Sequence, residues 1–598
     1  MKDFFNIYNN KKNILNALLS IIATGGIIGV YEIYFKYIAL TNTFINIIIF
    51  VLFYTIYGNL KSLSKKEKLF SIIFSIILSI IIIIGTQFEI NTDISWNFIT
   101  ILKIFSLVFG IFPIISILIN YLKKVKINNI HTINYKKLFS ITFLIILLFG
   151  FLVFLALYPG VYGYDAGAQT KMILYKDVNL TSHFSIPYSF VLTKLILLGK
   201  TLFGSYEAGF ATYSFIQMLF MSYVATKITI YVVKITKNSY MYLACILLFS
   251  LCPLYTVMVI SSAQDVFFSG FFALIIINVL NLIYDKNYYK SWYNPLSLVI
   301  LILLLCLARN NGFYTILVAL PFILIFNKNK KIITFIIFLI PLLMYKIYTG
   351  PIQHKMGVIK YDTMNEMMSI PSQQIARVYT YNKKSFSKND IKNLNKYYFN
   401  LDNFKYYKIN QLISDQSKGA INNDNVSNDL GGYIKFWWKL GIKNPENYVE
   451  GFLLNSLGFW FPNKNYHDYR MYHPYIEYKM MDGKFYDKRY LEIRRKSKFT
   501  LYEKLLNITL VENKWKRIPV ISTFFTTGSY FVTILFLIGI SIIKKRWSLF
   551  VPLSIILGLY VTLFLSPVCL FRYCFPIFII MPIIISLILT SNTKRNEN

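Results

Sequence analysis

Runs of about twenty apolar residues recur along the chain with short polar stretches between them, a pattern that predicts membrane-crossing helices rather than a soluble core. The first run starts near Ile14 and a second follows, so it is expected to be an anchor and not a cleaved signal. Four spans are expected before residue 138, then others near 138–158, 207–235, 240–261, 265–284, 295–308, 313–326 and 331–348. A hydrophilic stretch, 350–519, precedes three more, near 520–543, 548–566 and 571–590. The expected fold class is an all-α polytopic membrane protein of about fourteen transmembrane helices.

Lysine and arginine in short loops set the orientation. Lys2, Lys11 and Lys12, the KSLSKKEK stretch (61–68) and the loop at 123–137 are placed inside, whereas the acidic QFEINTDISWN (87–97) is placed outside. The apolar stretch 186–204 decides the parity of everything after it. If it crossed, the basic clusters at Lys234 and Lys237, Lys286 and Lys290, and Lys328 to Lys331 would all fall outside. Its own lysines, Lys194 and Lys200, fit an amphipathic helix lying in the outer interface, which returns those clusters to the inside. Both termini are then cytoplasmic, and 350–519 is a mainly helical extracytoplasmic domain.

Four units follow: an N-terminal four-helix membrane extension (1–137), a membrane core (138–348) with its first outer loop at 159–206, the outer domain (350–519), and a C-terminal three-helix segment with a short cytoplasmic tail (520–598). The Ile, Lys and Asn bias suits a bacterial plasma membrane.

Lys and Arg (62) outnumber Asp and Glu (27), giving +35, a balance that on a soluble protein would point to nucleic acid. Here loop lysines and anionic lipid account for it, and with no recognition motif present nucleic acid is not an expected partner. The five cysteines lie in or beside apolar runs without CxxC spacing, which indicates neither a zinc site nor a disulfide framework. P-loop, GxGxxG, HExxH, GxSxG and DxD signatures are absent from the sequence.

Mid-span positions are almost free of charge, unlike those of ion-coupled transporters. The unusual polar residues gather instead at the predicted outer ends. They are Asp165 and Gln169 in YPGVYGYDAGAQT, Asp177, His183, Gln264 and Asp265 in SSAQD, Arg309 and Asn310 in LARNNGF, and Arg572 and Tyr573 in FRYCFP. A carboxylate beside cations at one membrane face suits chemistry on a lipid-borne phosphate, because the carboxylate can take a proton from a hydroxyl while Arg stabilises charge on a leaving phosphate. Structural alternatives stand beside this. Asp165 and Asp265 can cap the helices they precede, Arg309 and Arg572 can reach to lipid headgroups, and His183 can be an ordinary loop residue.

These residues resemble the GT-C superfamily of membrane glycosyltransferases, which includes protein O-mannosyltransferases and aminoarabinose transferases. Asp165 takes the acidic position of the first outer loop, and SHFSIPYS (182–189) stands where that superfamily has a His-Pro motif. HFSIP departs from the tight motif, and Gln264 replaces a common Lys. More narrowly, YPG with YDAGAQ, SIPSQQIARVY (369–379), ISDQSKG (413–419), KNPENYVEGFLLNSLGFWFP (443–462) and SPVCLFRYCFPIF (566–578) resemble a bacterial family catalogued as domain of unknown function 6020, over roughly 140–590.

The resemblance implies transfer of a sugar from a polyprenyl-phosphate donor to an envelope glycan, lipid or protein at the outer face. It assigns Asp165 as general base and gives Gln169 and His183 the sugar or acceptor. Arg309 and Arg572 receive the lipid phosphate, and Gln373, Gln374 and Arg377 line the site from the outer domain. Asp265, Asn310 and Tyr573 are counted with the substrate-binding residues. No cofactor is required by the sequence; a divalent metal is left open, since some GT-C enzymes use one. A polymerase or ligase of lipid-linked glycans, and a transporter or flippase for them, are the alternatives.

Overall fold

The computed structural model describes residues 2–34, 43–125, 133–327, 330–360, 364–408, 411–462, 489–510 and 526–591. Among these residues helices dominate, and β pairing is confined to isolated bridges. In chain order the first helices are α1 (Lys2–Tyr34), α2 (Thr43–Gly58), α3 (Lys65–Asn91), α4 (Phe98–Lys124), α5 (Tyr135–Ala156), α6 (Tyr164–Leu174) and α7 (Ile186–Phe203). Then come α8 (Tyr206–Thr236), α9 (Ser239–Leu251), α10 (Pro253–Met258), α11 (Gln264–Tyr284), α12 (Tyr293–Ala308), α13 (Asn311–Phe326) and α14 (Lys331–Ile347). The longer helices of the hydrophilic segment are α15 (Ser369–Tyr381), α16 (Lys388–Tyr397), α17 (Leu430–Lys443), α18 (Pro445–Asn455) and α19 (Thr500–Leu510). The chain closes with α20 (Thr527–Ile543), α21 (Phe550–Phe564) and α22 (Phe571–Leu589).

Several apolar runs become helices behind a polar cap that takes up a free backbone N–H. Ser64 and Glu67 form a capping box at α3, and Asn97, Asn134, Ser185, Ser205 and Asn238 cap α4, α5, α7, α8 and α9. Ten of the described helices are long and apolar enough to cross a membrane, Ile186–Phe203 among them, and five shorter apolar helices accompany them. These make the chain a multi-pass membrane protein. The span expected at 240–261 is not one helix: the chain breaks at Cys252, where Pro253 starts α10 because its ring cannot continue the preceding helix. The tail beyond Ser591 and residues 511–525 lie outside the described residues.

Among the described residues, contacts sort several loops into two sets. At one end Glu67 pairs with Lys123 (2.7 Å) and Lys544 (3.4 Å), and Arg546 donates to the Tyr284 hydroxyl (3.0 Å) and to the Leu587 carbonyl (3.2 Å). At the other end, the site end, segments 158–163 and 259–263 pair with each other, Leu307 O accepts from Ser185, and the segments around 92–95 and 566–568 meet the hydrophilic segment, labelled here the outer domain after its expected place. The central helices are α22, α11 and α8, whose apolar windows are 78%, 72% and 67% buried, against 28–33% for α1, α4, α5 and α14 at the periphery. The outer domain has its own aromatic core, built on Ile375, Tyr397, Phe404, Tyr433 and Phe436.

Glycines permit the closest helix contacts. A Cβ at Gly209 of α8 would stand 2.2 Å from the Ile196 carbonyl oxygen of α7, and one at Gly199 would meet Gly209 and Thr212. Together with the Tyr188–Tyr213 hydroxyl pair, these contacts join α7 to the first third of α8. The N-terminal extension docks through Phe461, whose ring lies over Gly85 of α3 while its backbone abuts Gly528 of α20.

Candidate active site

Two chain segments run side by side at the site end and place two carboxylates together. Val161 and Ser261 form a parallel bridge: Val161 N–H donates to Ile260 O (3.1 Å), Ser262 N–H to Val161 O (2.9 Å), and Gly163 N–H to Ser262 Oγ (2.8 Å). Gly160 makes the turn into this pairing with φ +123°, a conformation L side chains rarely adopt, and a Cβ there would also strike Ser214. Each segment then starts a helix, α6 and α11, and each helix carries its carboxylate at the second position, Asp165 and Asp265.

Neither carboxylate is a cap. Gly163 and Ala263 occupy the cap positions without a side-chain hydrogen bond, and the carboxylates turn to arginines instead. Asp165 Oδ2 lies 2.8 Å from Arg572 Nη1, Asp265 Oδ1 pairs with Arg309 Nη1, and Arg572 Nε stands 3.9 Å from Asp265 Oδ2. Arg309 comes from the end of α12 and Arg572 from the first turn of α22, so four helix ends build one alternating chain of charge. Tyr573 stacks under both guanidiniums, 4.4 Å from Arg309 and 5.2 Å from Arg572. Cation–π contact and ion pairing together hold two cations whose side chains are only 18% and 17% exposed, while Asp265 is enclosed (3%) and Asp165 is open (40%). Asp165 is thus the member of the cluster that an incoming molecule can reach.

A second layer fixes the two segments. Gln217, fully buried on α8, donates through Nε2 to the carbonyls of Val259 (3.0 Å) and Ser261 (2.7 Å), and its Oε1 accepts from the Tyr213 hydroxyl (2.6 Å). That commits the Tyr213 proton, so Tyr188 donates to the Tyr213 oxygen at 2.8 Å. Tyr188 is also within electrostatic reach of Asp165 and Asp265. Sequence inspection missed this layer, although a glutamine inside an apolar span was a usable signal. Gln217→Leu strands two buried carbonyls and a phenol, and it is expected to cost about 2–4 kcal/mol in thermal unfolding of the detergent-solubilised protein. A cost under about 1 kcal/mol would mean the carbonyls find other donors.

The other predicted residues fall into three groups. Gln169 lies one turn after Asp165 on α6, 1% exposed, and its Oε1 is buried without a hydrogen-bond partner, as is that of Gln264 beside Asp265. Asn310, at the start of α13, accepts from the Tyr345 hydroxyl (2.7 Å), and His183 is exposed in the loop before α7 with its ring against Phe184. Asp177 forms an exposed pair with Arg489 at 2.9 Å.

Gln373, Gln374 and Arg377 are not brought to the cluster. They sit buried inside the outer domain with their polar groups engaged there: Gln373 with Gln411 O and Ser417, Gln374 with Tyr448 O and Trp437. Arg377 donates to Glu450, Gln411, Tyr407 and the Thr92 carbonyl, while Glu450 accepts from Ile94 N–H. Burial opposes the Arg377 charge, and Tyr407 and Glu450 more than reverse this, so its pKa lies above the usual guanidinium value. This network ties the outer domain to the α3–α4 loop of the N-terminal extension.

The two guanidiniums of the cluster give it donors for a phosphate. Both carboxylates are paired with arginine, and among the described residues no group of three or more His, Cys, Asp or Glu side chains converges. None of the five cysteines forms a disulfide among the described residues.

In comparisons with known proteins, no curated protein and no solved structure matches the chain. One family matches residues 175–598, a stretch that contains Asp265, Arg309 and Arg572 and begins ten residues after Asp165. The chain therefore belongs to the family of unknown function DUF6020.

Proposed function

We propose that the protein is a membrane glycosyltransferase of GT-C type, which moves a sugar from a polyprenyl-phosphate donor to an envelope acceptor at the outer face of a bacterial plasma membrane. The observation that carries this reading is the Asp165–Arg572–Asp265–Arg309 chain, assembled from four helix ends at the face that charge parity puts outside. The contacts of α7 with the start of α8 support its placement in the interface. A 31-residue helix is about 46 Å long, longer than a bilayer core of about 30 Å, and α7 meets α8 at Gly209, Thr212 and Tyr213, ahead of Ser214 and Gln217, which bond the site loop.

In this reading Asp165 accepts the proton of the acceptor hydroxyl as its oxygen bonds to the anomeric carbon. The bond from that carbon to the phosphate oxygen breaks at the same time, through an oxocarbenium-like transition state, and the polyprenyl phosphate departs. Two carboxylates balance two guanidiniums, so a phosphate docking on Arg572 competes with Asp165 for it. The competition releases the Asp165 oxygen as the substrate arrives, while Arg572 and Arg309 compensate charge on the leaving phosphate. Gln169 offers a buried acceptor for a sugar or acceptor hydroxyl. Single-sugar transfer is preferred to block polymerisation or ligation, and the charge-poor spans weigh against a flippase.

Binding of polyprenyl phosphate to the protein in nanodiscs tests the assignment of the phosphate. Arg572→Gln is expected to weaken it at least tenfold, in line with about 1.5–3 kcal/mol for a charge-assisted hydrogen bond. Unchanged binding in a folded variant removes the lipid phosphate from this cluster.

A further inference from the structure

Residues Arg489–Lys498 form an extended strap that crosses the outer side of α6 and leads directly into α19. Leu491 and Ile493 are buried in the cluster that contains Tyr162, Ala166 and Tyr188, and the Tyr490 ring lies against Gly167. Farther on, Lys496 N–H donates to Tyr158 O (2.8 Å) and Lys498 N–H to Leu155 O (2.9 Å), which fixes the strap to the end of α5. The cations of the strap lie at its surface: Arg494 is 72% exposed, 3.6 Å from Glu492, Lys496 is 62% exposed, 3.5 Å from Glu207, and Lys498 is exposed with its Nζ 5.6 Å from the Tyr158 ring.

Helix α19 has three sectors. Tyr502 and Leu506 face the bundle, where α19 packs against α5 and α10. Leu501, Leu505 and Ile508, spaced to share one stripe, are 74%, 53% and 37% exposed. Thr500, Glu503, Lys504 and Asn507 occupy the remaining arc, with Glu503 holding Arg495 at 3.3 Å. A helix with one face on protein, one apolar face outward and cations at its edge matches the chemistry of a bilayer interface.

We propose that the strap and α19 form a lipid-binding element. The Leu501–Leu505–Ile508 stripe inserts among the acyl chains of the outer leaflet, and Arg494, Lys496, Lys498 and Lys504 hold the headgroups of anionic phospholipids. Charge selects the occupant: four exposed cations flank the stripe, and α19 lies at the end of a membrane helix, where headgroups are found. Because the strap packs on Ala166 and Gly167, it joins that lipid contact to the helix carrying Asp165. This element rests on the membrane location of the bundle and the outward placement of the site end, and is independent of the transfer chemistry.

The test uses the full chain in nanodiscs of phosphatidylcholine, with or without phosphatidylglycerol. A photoreactive p-benzoylphenylalanine in place of Leu501 is expected to form a lipid adduct, whereas the same residue in place of Lys388, exposed at the start of α16 in the outer domain, gives none. In the mixed nanodiscs the combined Arg494→Gln, Lys496→Gln, Lys498→Gln and Lys504→Gln variant is expected to retain at least about tenfold less phosphatidylglycerol than wild type. No lipid adduct at 501, or an adduct to a second copy of the chain, overturns the insertion of α19. Equal retention of phosphatidylglycerol by the folded variant overturns the headgroup site.

Discussion

Asp165→Asn is expected to reduce sugar transfer by about 10²–10⁴-fold, the range for loss of a general base, while the protein folds and extracts as wild type does. Folding should survive because Asp165 makes no cap: Gly163 holds that position, and helix α6 forms without a side-chain bond there. The asparagine oxygen can still accept from Arg572, and Arg572 keeps Asp265 at 3.9 Å. What disappears is a group able to take a proton and a charge near a helix N-terminus, the latter worth about 0.3–1 kcal/mol. A large loss of transfer beside a small loss of stability separates a chemical role from a structural one. Undiminished transfer would reduce Asp165 to a partner that orients Arg572.

The largest effect on stability is expected from Arg377→Ala. Its guanidinium is 2% exposed and serves Glu450, Gln411, Tyr407 and the Thr92 carbonyl at once. Deleting it leaves the Glu450 carboxylate buried without its counter-charge, a change that costs about 3–5 kcal/mol in comparable pairs. Because Thr92 and Ile94 belong to the α3–α4 loop, the loss should appear as release of the outer domain from the N-terminal extension, read by limited proteolysis and by a lowered melting temperature. Arg377→Lys should recover little, since an ammonium cannot reproduce the fork that bridges Glu450 and Thr92. The double variant Arg377→Met, Glu450→Leu removes both charges and should regain most of the stability. A cost near zero for Arg377→Ala would mean that the other contacts, such as packing at Phe461 and the Ser414–Pro567 bonds, hold the outer domain without it.

Part of the candidate site is legible because charge parity assigns depth. It puts Asp165, Asp265, Arg309, Arg572 and Tyr573 at one face, and in the structure these side chains are in contact. Parity does not assign position around the bundle, so it could not separate these residues from His183, which shares the face yet stays exposed in its loop. Nor can an amphipathic pattern tell a polar side chain that faces a substrate from one buried in a network. Gln373, Gln374 and Arg377 lie on a helix whose polar positions are nearly all enclosed by other parts of the outer domain. The cap reading of Asp165 and Asp265 failed for a related reason. Asp at the start of a helix favours its N-terminus at the cap or one turn inside, and only the tertiary partner, arginine here, decides which. The break at Cys252 hinges on Pro253, which apolar-run length alone passes over.

Wild-type protein in nanodiscs, supplied with radiolabelled polyprenyl-phosphate hexoses and a crude envelope acceptor, tests the central claim most directly. The account predicts that label moves from the lipid to the acceptor and polyprenyl phosphate is released. Absence of transfer from every donor, together with movement of the labelled lipid across sealed vesicles containing the protein, would contradict it and identify a flippase.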